Sequence, residues 1–422
     1  MGKPRNHNAA ANSIEKEIMI TMQVSPFAQI ELAPPDPIIG LTEAFNKDEN
    51  PKKVNLGAGV YQDGAGRVPI LEVVREAQER LLEKEETKNY MPIDGIPAFN
   101  QQVQALLLGA DSGILAGARA VTVQALGGTG ALKVGADFLK RFFSASQVWI
   151  SDPSWENHRQ LFEAAGFTVN NYPYYDPETR GLDFASMLDT LKGLPARSVV
   201  VLHACCHNPT GVDPSREEWT RLVDLFQTAG LIPFFDLAYQ GFSEGIDADA
   251  FAVRAFVEAG VPCLVAQSFS KSFALYRERV GALTVVTASE DEAKRVRSQI
   301  KRLIRTNYSS PASHGAQLVA SVLADAGLRA RWESELAEMR QRIRRMRELF
   351  VLRMREKGVE QDFSFIERQS GMFSYSGLSR ETVDRLRGEY SIYLVGSGRV
   401  CVAALNEKNL DYVCEAIAKL ED

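Results

Sequence analysis

Between Val121 and Gln267 the chain alternates short apolar runs with longer stretches of helical periodicity. Val121–Gln124 is followed by Gly127-Gly-Thr-Gly130 and then by a helical repeat over 131–141. Val148–Ser151 precedes a turn at Asp152-Pro153 and a helix over about 155–165. Ser198–His203, Leu231–Phe235 and Val261–Gln267 are further runs of strand length. Strands separated by helices pair side by side as a mostly parallel sheet with helices on both faces. The expected fold class is therefore α/β. Ligands of such sheets bind at the carboxyl ends of the strands. The polar residues that stand out fall there: Gly127–Thr129, His203–Asn208, Asp236 and Ser268–Lys271.

From Trp332 to Met354 the pattern changes. Trp332, Leu336, Met339, Ile343, Met346, Phe350 and Met354 recur every three or four residues with arginines between them. This spacing predicts a long amphipathic helix whose arginines form its solvated face. Strand-like pieces at Met372–Tyr375 and Val400–Ala403 follow, separated by helices, and read as a smaller α+β domain. The expected divisions are a disordered tail over 1–21, an arm with part of the small domain over 22–68, a large domain over 69–338 and a small one over 339–422. The tail is polar, without the apolar stretch of a signal peptide. Met22 stands just before the sequence that leads into the domain, so the first residues also read as an over-long start.

At 422 residues with 45% apolar content the chain has ample material for a large core. Its formal charge of −6 argues against nucleic acid as a partner, so small anions would be drawn by local arginines. Five cysteines, an odd number that includes the adjacent Cys205 and Cys206, read as reduced thiols and a cytoplasmic location. No apolar run approaches the ~20 residues of a membrane span, and no metal set is expected.

The segment from Ser268 to Arg279 carries the most chemistry. Lys271 stands beside the hydroxyls of Ser268 and Ser270, eight residues before the guanidinium of Arg279. A buried amine suits a Schiff base to a carbonyl. Hydroxyls and an arginine beside it suit an anion, and an aldehyde that carries a phosphate is pyridoxal phosphate. The competing reading is a solvated loop lysine. Gly127–Gly130, between a strand and a helix, reads as an anion cradle or as a plain tight turn; it fits neither a Walker loop nor a dinucleotide fingerprint. Asp236 at a strand end reads as the partner of a pyridine nitrogen or as a helix cap. Asn208, in His207-Asn-Pro-Thr-Gly211, and Tyr239 would reach the ring's phenolic oxygen, or simply fix a turn. Trp155 reads as a platform for the ring or as core, and His158 as support for Asp236 or as a structural residue. Two arginines would suit a substrate with two carboxylates, but among 48 lysines and arginines none stands out by itself; Arg305 and Arg399 are marked only by the resemblance that follows.

Taken in order, the motifs resemble class I (fold type I) aminotransferases of the aspartate and aromatic-amino-acid branch, from about Pro35 to the C-terminus. They are Asn55-Leu-Gly-Ala-Gly-Val-Tyr61, Lys88-Asn-Tyr-Met-Pro-Ile93, Gln124-Ala-Leu-Gly-Gly-Thr-Gly-Ala-Leu132, Ser151-Asp-Pro-Ser-Trp-Glu-Asn-His158, His203-Ala-Cys-Cys-His-Asn-Pro-Thr-Gly211, Asp236-Leu-Ala-Tyr-Gln-Gly241, the lysine segment, Gly371-Met-Phe-Ser-Tyr375 and Ser397-Gly-Arg399. The resemblance implies a large domain around a mostly parallel seven-stranded sheet and a smaller α+β domain. It implies pyridoxal phosphate on Lys271, which also shuttles the proton. Asp236 would hold the ring nitrogen with His158 behind it, Asn208 and Tyr239 the phenolic oxygen, and Trp155 the ring face. Gly128, Thr129, Ser268, Ser270 and Arg279 would hold the phosphate, joined by Tyr90 of a neighbouring subunit in a homodimer. Arg399 would bind the substrate α-carboxylate and Arg305, from the neighbour, the distal one. Gly59 and Phe373 would line the pocket. Ala404 departs from the glycine that relatives often carry after the Arg399 strand.

The reaction so implied is a ping-pong transfer from aspartate, tyrosine or phenylalanine to 2-oxoglutarate. The segment 194–317 resembles the aromatic type and 88–99 the aspartate type. The alternatives are another reaction of the same cofactor, such as β-elimination or decarboxylation, or a cofactor-sensing regulatory domain without catalysis.

Overall fold

The computed structural model describes residues 25–33 and 37–421, so the expected tail over 1–21 lies outside the described residues. Residues 41–422 form one compact unit. Of the unit before it, the described part includes a turn over 26–29.

Seven strands form the central sheet: β1 (Ala120–Leu126), β2 (Val148–Asp152), β3 (Val169–Pro173), β4 (Val199–His203), β5 (Ile232–Leu237), β6 (Cys263–Ser268) and β7 (Val280–Val286). Their spatial order is β1-β7-β6-β5-β4-β2-β3, parallel throughout except for β7, which runs antiparallel to both neighbours. The strands read from the sequence are present within a few residues. The two that were not read have physical reasons. β3, Val-Asn-Asn-Tyr-Pro, is an edge strand whose polar residues and proline mask the pattern. β7 follows the lysine loop without an intervening helix, so it breaks the alternation that marks the others.

The sheet is buried on both faces, and the period-2 rule sorts its residues between two cores. Val199, Val201, Phe234, Leu264 and Ala266 belong to one apolar cluster. Their neighbours Val200, Leu202, Phe235, Cys263 and Val265 belong to the other. Register then fixes which polar side chains meet: His203 pairs with Asp236, and Asp236 with Ala266. On the other flank of β6, Ser268 pairs with Gly281, while Val280 pairs with Leu126, the residue before the Gly127 turn.

Helix α1 (Gly127–Phe142) starts directly at the glycine cluster, and α2 (Glu156–Ala164) starts after Trp155. The long helix α3 runs from Ala326 to Glu356. It begins earlier than its apolar repeat because the Asp325 carboxylate caps it, accepting from the backbone N–H of Gly327 at 2.9 Å and Leu328 at 3.0 Å. All seven expected apolar positions are buried. The expectation of a wholly solvated arginine face needs one correction, because Arg347 is buried with them.

Two short strands, β8 (Phe373–Tyr375) and β9 (Arg399–Cys401), pair antiparallel. Arg399 is itself in β9, and the expected strand over 400–403 turns into a 3-10 helix at Val402–Ala404. Val54–Asn55 pairs in parallel with Ile392–Tyr393, which brings the early segment with Gly57 and Gly59 beside the late one with Arg399. No helix among the described residues is long and apolar enough to cross a membrane. All five cysteines are free and buried.

Candidate active site

The buried Asp236 carboxylate, at the end of β5, accepts a hydrogen bond from His158 Nε2 at 3.0 Å. His158 is held in turn through Nδ1 by the Ser154 hydroxyl at 2.9 Å. Burial pushes the Asp236 carboxyl up, but the His158 hydrogen bond and the nearby positive groups outweigh it and hold the carboxyl below its ordinary value. A charged carboxylate therefore stands at the floor of the site. The His203 ring lies 5.1 Å from that of His158 and 4.3 Å from that of His207. Burial holds His203 neutral, and neither of its ring nitrogens has a protein partner.

Lys271 follows β6, with Nζ 5.0 Å from the centre of the Tyr239 ring. Desolvation lowers its pKa to about 8, against the opposing pull of Asp236, and the cations Arg279 and Arg399 add to the lowering. Such an amine is partly neutral near physiological pH and so nucleophilic. Burial holds the Tyr239 phenol well above its ordinary value, so it remains a hydrogen-bond donor.

The glycine turn, the serines and Arg279 form one cradle. Arg279 Nη1 donates to Ser270 Oγ at 3.4 Å and to the Tyr276 carbonyl at 3.0 Å, and no carboxylate pairs with its guanidinium among the described residues. Gly127 has φ +71°, and a Cβ there would stand 2.6 Å from Arg279 Nη2. A Cβ on Gly128 would stand 3.1 Å from Ser268 Cβ. Thr129 lies in the first turn of α1. Helix N-terminal amides, hydroxyls and a free guanidinium in one place are the donors a phosphate needs.

A second arginine, Arg399, stands near enough to Lys271 to act on its charge. Arg399 is 1% exposed. It donates from Nη2 to the Gly57 carbonyl at 2.7 Å and from Nη1 to Asn208 Oδ1 at 3.3 Å, while Nε has no partner. Its guanidinium carbon sits 4.4 Å from the centre of the Phe373 ring. Gly59 abuts the same ring, since a Cβ there would be 2.9 Å from Phe373 Cζ. Phe373 also meets the Tyr239 ring edge-on at 5.9 Å, and the half-buried Trp155 meets His158 edge-on at 5.3 Å.

Two expected residues stand apart. Tyr90 is 92% exposed. Arg305, near the end of the helix Glu290–Asn307, is exposed and hydrogen-bonds to Ser309. Neither bonds to any of the pocket residues above. Sequence reading missed the parts that act through the backbone. Asp213 accepts from the N–H groups of Cys206 at 2.7 Å and His207 at 2.8 Å and so fixes the turn before Asn208. The Gly57 carbonyl on Arg399 is another. Main-chain partners leave no mark in composition; for Asp213, its place just after Asn-Pro-Thr-Gly was the available signal.

These donors fit pyridoxal phosphate. The cradle at Gly127–Thr129, Ser268, Ser270 and Arg279 suits its phosphate, Lys271 its aldehyde, Asp236 its ring nitrogen, and Asn208 with Tyr239 its phenolic oxygen.

Comparison with known proteins agrees with this chemistry. Residues 51–417 match the family described as Aminotransferase class I and II. The chain is 56% identical to the aspartate aminotransferase of Pseudomonas aeruginosa, over 94% of this chain and 100% of that one. It is 48% identical to the aromatic-amino-acid aminotransferase of Escherichia coli, over 93% and 99% of the two chains. The crystal structure of an aromatic-amino-acid aminotransferase from Burkholderia pseudomallei, covalently bound to pyridoxal phosphate, superposes with a TM-score of 0.93 at 57% identity, covering 94% of this chain and 100% of that one. With its cradle, half-buried lysine and strand-end aspartate in place, this chain belongs to the class I and II aminotransferases.

Proposed function

We propose that the protein transfers the amino group of aspartate and of the aromatic amino acids tyrosine and phenylalanine to 2-oxoglutarate. The observation that carries this reading is a half-buried, partly neutral Lys271 within electrostatic reach of a buried and unneutralised Arg399. The similarity to relatives named for aspartate and for aromatic amino acids supports both donors.

When bound, pyridoxal phosphate supplies an electron sink for negative charge at the substrate α-carbon. In this reading Asp236 keeps the ring nitrogen protonated, and His158 keeps Asp236 oriented. Arg399 holds the substrate α-carboxylate through its forked donors and thereby turns the α-carbon hydrogen toward Lys271. Lys271 Nζ would take that proton as base and then give it up as acid. Trp155 and Phe373 keep water from the reacting face. Arg305 and Tyr90 complete the site of the neighbouring subunit in a homodimer, Arg305 meeting the distal carboxylate or yielding to an aromatic ring. Exposed large apolar side chains at Val68, Ile70 and Tyr90 support such a partner. The five free cysteines support a reducing, cytoplasmic setting. The large and small domains, 69–338 and 339–422, would then share α3, which runs through their boundary.

The test is a coupled assay with pyridoxal phosphate, 2-oxoglutarate and each of L-aspartate, L-tyrosine and L-phenylalanine. Turnover with all three, yielding 2-oxo acids and glutamate, is expected. Release of an amine, or of pyruvate and ammonia, contradicts the reading.

A further inference from the structure

Arg347 lies on the inward face of α3, 2% exposed, where its neighbours along the helix, Met346, Phe350 and Val351, are apolar. A buried guanidinium ordinarily sits against a carboxylate. Arg347 instead spends its donors on main-chain carbonyl oxygens: Nη1 on Ile366 at 3.2 Å, Nη2 on Gly371 at 2.8 Å and on Phe373 at 2.6 Å. Desolvation draws its pKa down to about 10, a cost that an aliphatic side chain at this position would not carry. What an aliphatic side chain lacks is a fork that can fix three carbonyls at once.

Those carbonyls belong to a tightly packed bend. Gly371 has φ +78°, and a Cβ there would fall 2.4 Å from Cys206 Cβ. The Ser370 N–H donates to the Gly211 carbonyl at 2.7 Å, and a Cβ on Gly211 would fall 2.7 Å from the Phe373 carbonyl. The bend is thus locked on one side to the turn that carries Asn208 and on the other to Arg347. It ends at Phe373, whose ring packs on the Arg399 guanidinium at 4.4 Å, while Asn208 accepts from that same guanidinium.

We propose that Arg347 is a positioning residue for the substrate-carboxylate corner: by fixing the 366–373 bend it sets where Phe373, Asn208 and through them Arg399 stand. This rests on the assignment of Arg399 to the substrate carboxylate.

The test uses cofactor-loaded R347M, R347Q and R399K proteins, with succinate as a non-reacting dicarboxylate probe followed through the cofactor absorbance, and steady-state kinetics beside it. In R347M the succinate Kd and the KM for aspartate rise about tenfold or more, because the guanidinium that meets the carboxylate is displaced. R347Q, which keeps one donor group but not the fork, falls between R347M and the wild type. Wild-type succinate affinity in folded R347M overturns the inference, even if its melting temperature falls. If R347M does not fold, wild-type affinity in R347Q overturns it. The two levels separate through R399K. Unchanged succinate binding in R399K removes the Arg399 assignment itself, whereas weakened binding there with wild-type binding in R347M and R347Q removes only the role of Arg347.

Discussion

Lys271 has its amine where desolvation outweighs the attraction of Asp236, and its pKa of about 8 lies below the ordinary 10.5. The direction matters for cofactor capture. The neutral amine is the nucleophile, and below the folded pKa it is withdrawn as ammonium. In cofactor-free protein the rate of pyridoxal phosphate capture should therefore climb about tenfold per pH unit between pH 6 and 7 and level off above about pH 8. Stopped-flow absorbance measures it, and a flat profile would show that burial does not govern this amine. Lys271→Ala should still bind the cofactor in its cradle but lose turnover by about 10³-fold or more, the scale of a removed general base. Asp236→Ala leaves His158 Nε2 without its acceptor and the pocket floor without its charge. The expected loss in kcat is about 10²-fold or more, with a smaller change in KM, since the carboxylate acts on charge that develops during reaction. Near-wild-type kcat in purified, loaded Asp236→Ala would remove that role.

At the level of elements, strand ends and helix starts do the positioning. The change from β1 to α1 happens at Gly127, whose left-handed φ and missing Cβ let Arg279 close over the first turn of the helix. Gly127→Ala should keep the fold and weaken cofactor binding by about tenfold or more, because the added carbon collides with the guanidinium and forces an unfavourable φ. Fluorescence titration of cofactor-free protein with pyridoxal phosphate checks this; an unchanged affinity would mean that Arg279 does not need that approach. Much of this scale was legible beforehand. β-branched and aromatic runs such as Val199–Leu202 and Phe234–Phe235 announce strands buried on both faces, and the residues that follow them announce the ligand end. What escaped was governed by partners rather than pattern. β7 is apolar but antiparallel and joined by a loop, β3 is an edge, and α3 starts where Asp325 caps it rather than where its apolar repeat begins. Arg347 sat among arginines that the helical repeat assigned to solvent, and only the carbonyls of a distant bend explain its burial.

Across the whole molecule the site draws on residues from Gly57 to Arg399, and the motifs made most of that set legible in order while the sheet register made it spatial. Tyr90 and Arg305 are the exceptions, exposed and without a hydrogen bond to the site residues of their own chain. In a two-fold dimer a residue that is idle at home can serve the neighbour. Mixing two inactive variants decides the matter. A Lys271→Ala chain keeps Arg305, and an Arg305→Ala chain keeps Lys271. In a hybrid dimer with crossed arginines, one site then holds both intact groups and the other holds neither. Unfolding and refolding the two chains together at equal concentration makes half the dimers hybrid. With one good site in each hybrid, about a quarter of the wild-type aspartate turnover should return from variants that are each nearly inactive with aspartate. If Arg305 serves its own chain, every site in the mixture lacks one group and nothing returns. Aspartate is the donor to use, because its distal carboxylate is what the crossed guanidinium would meet.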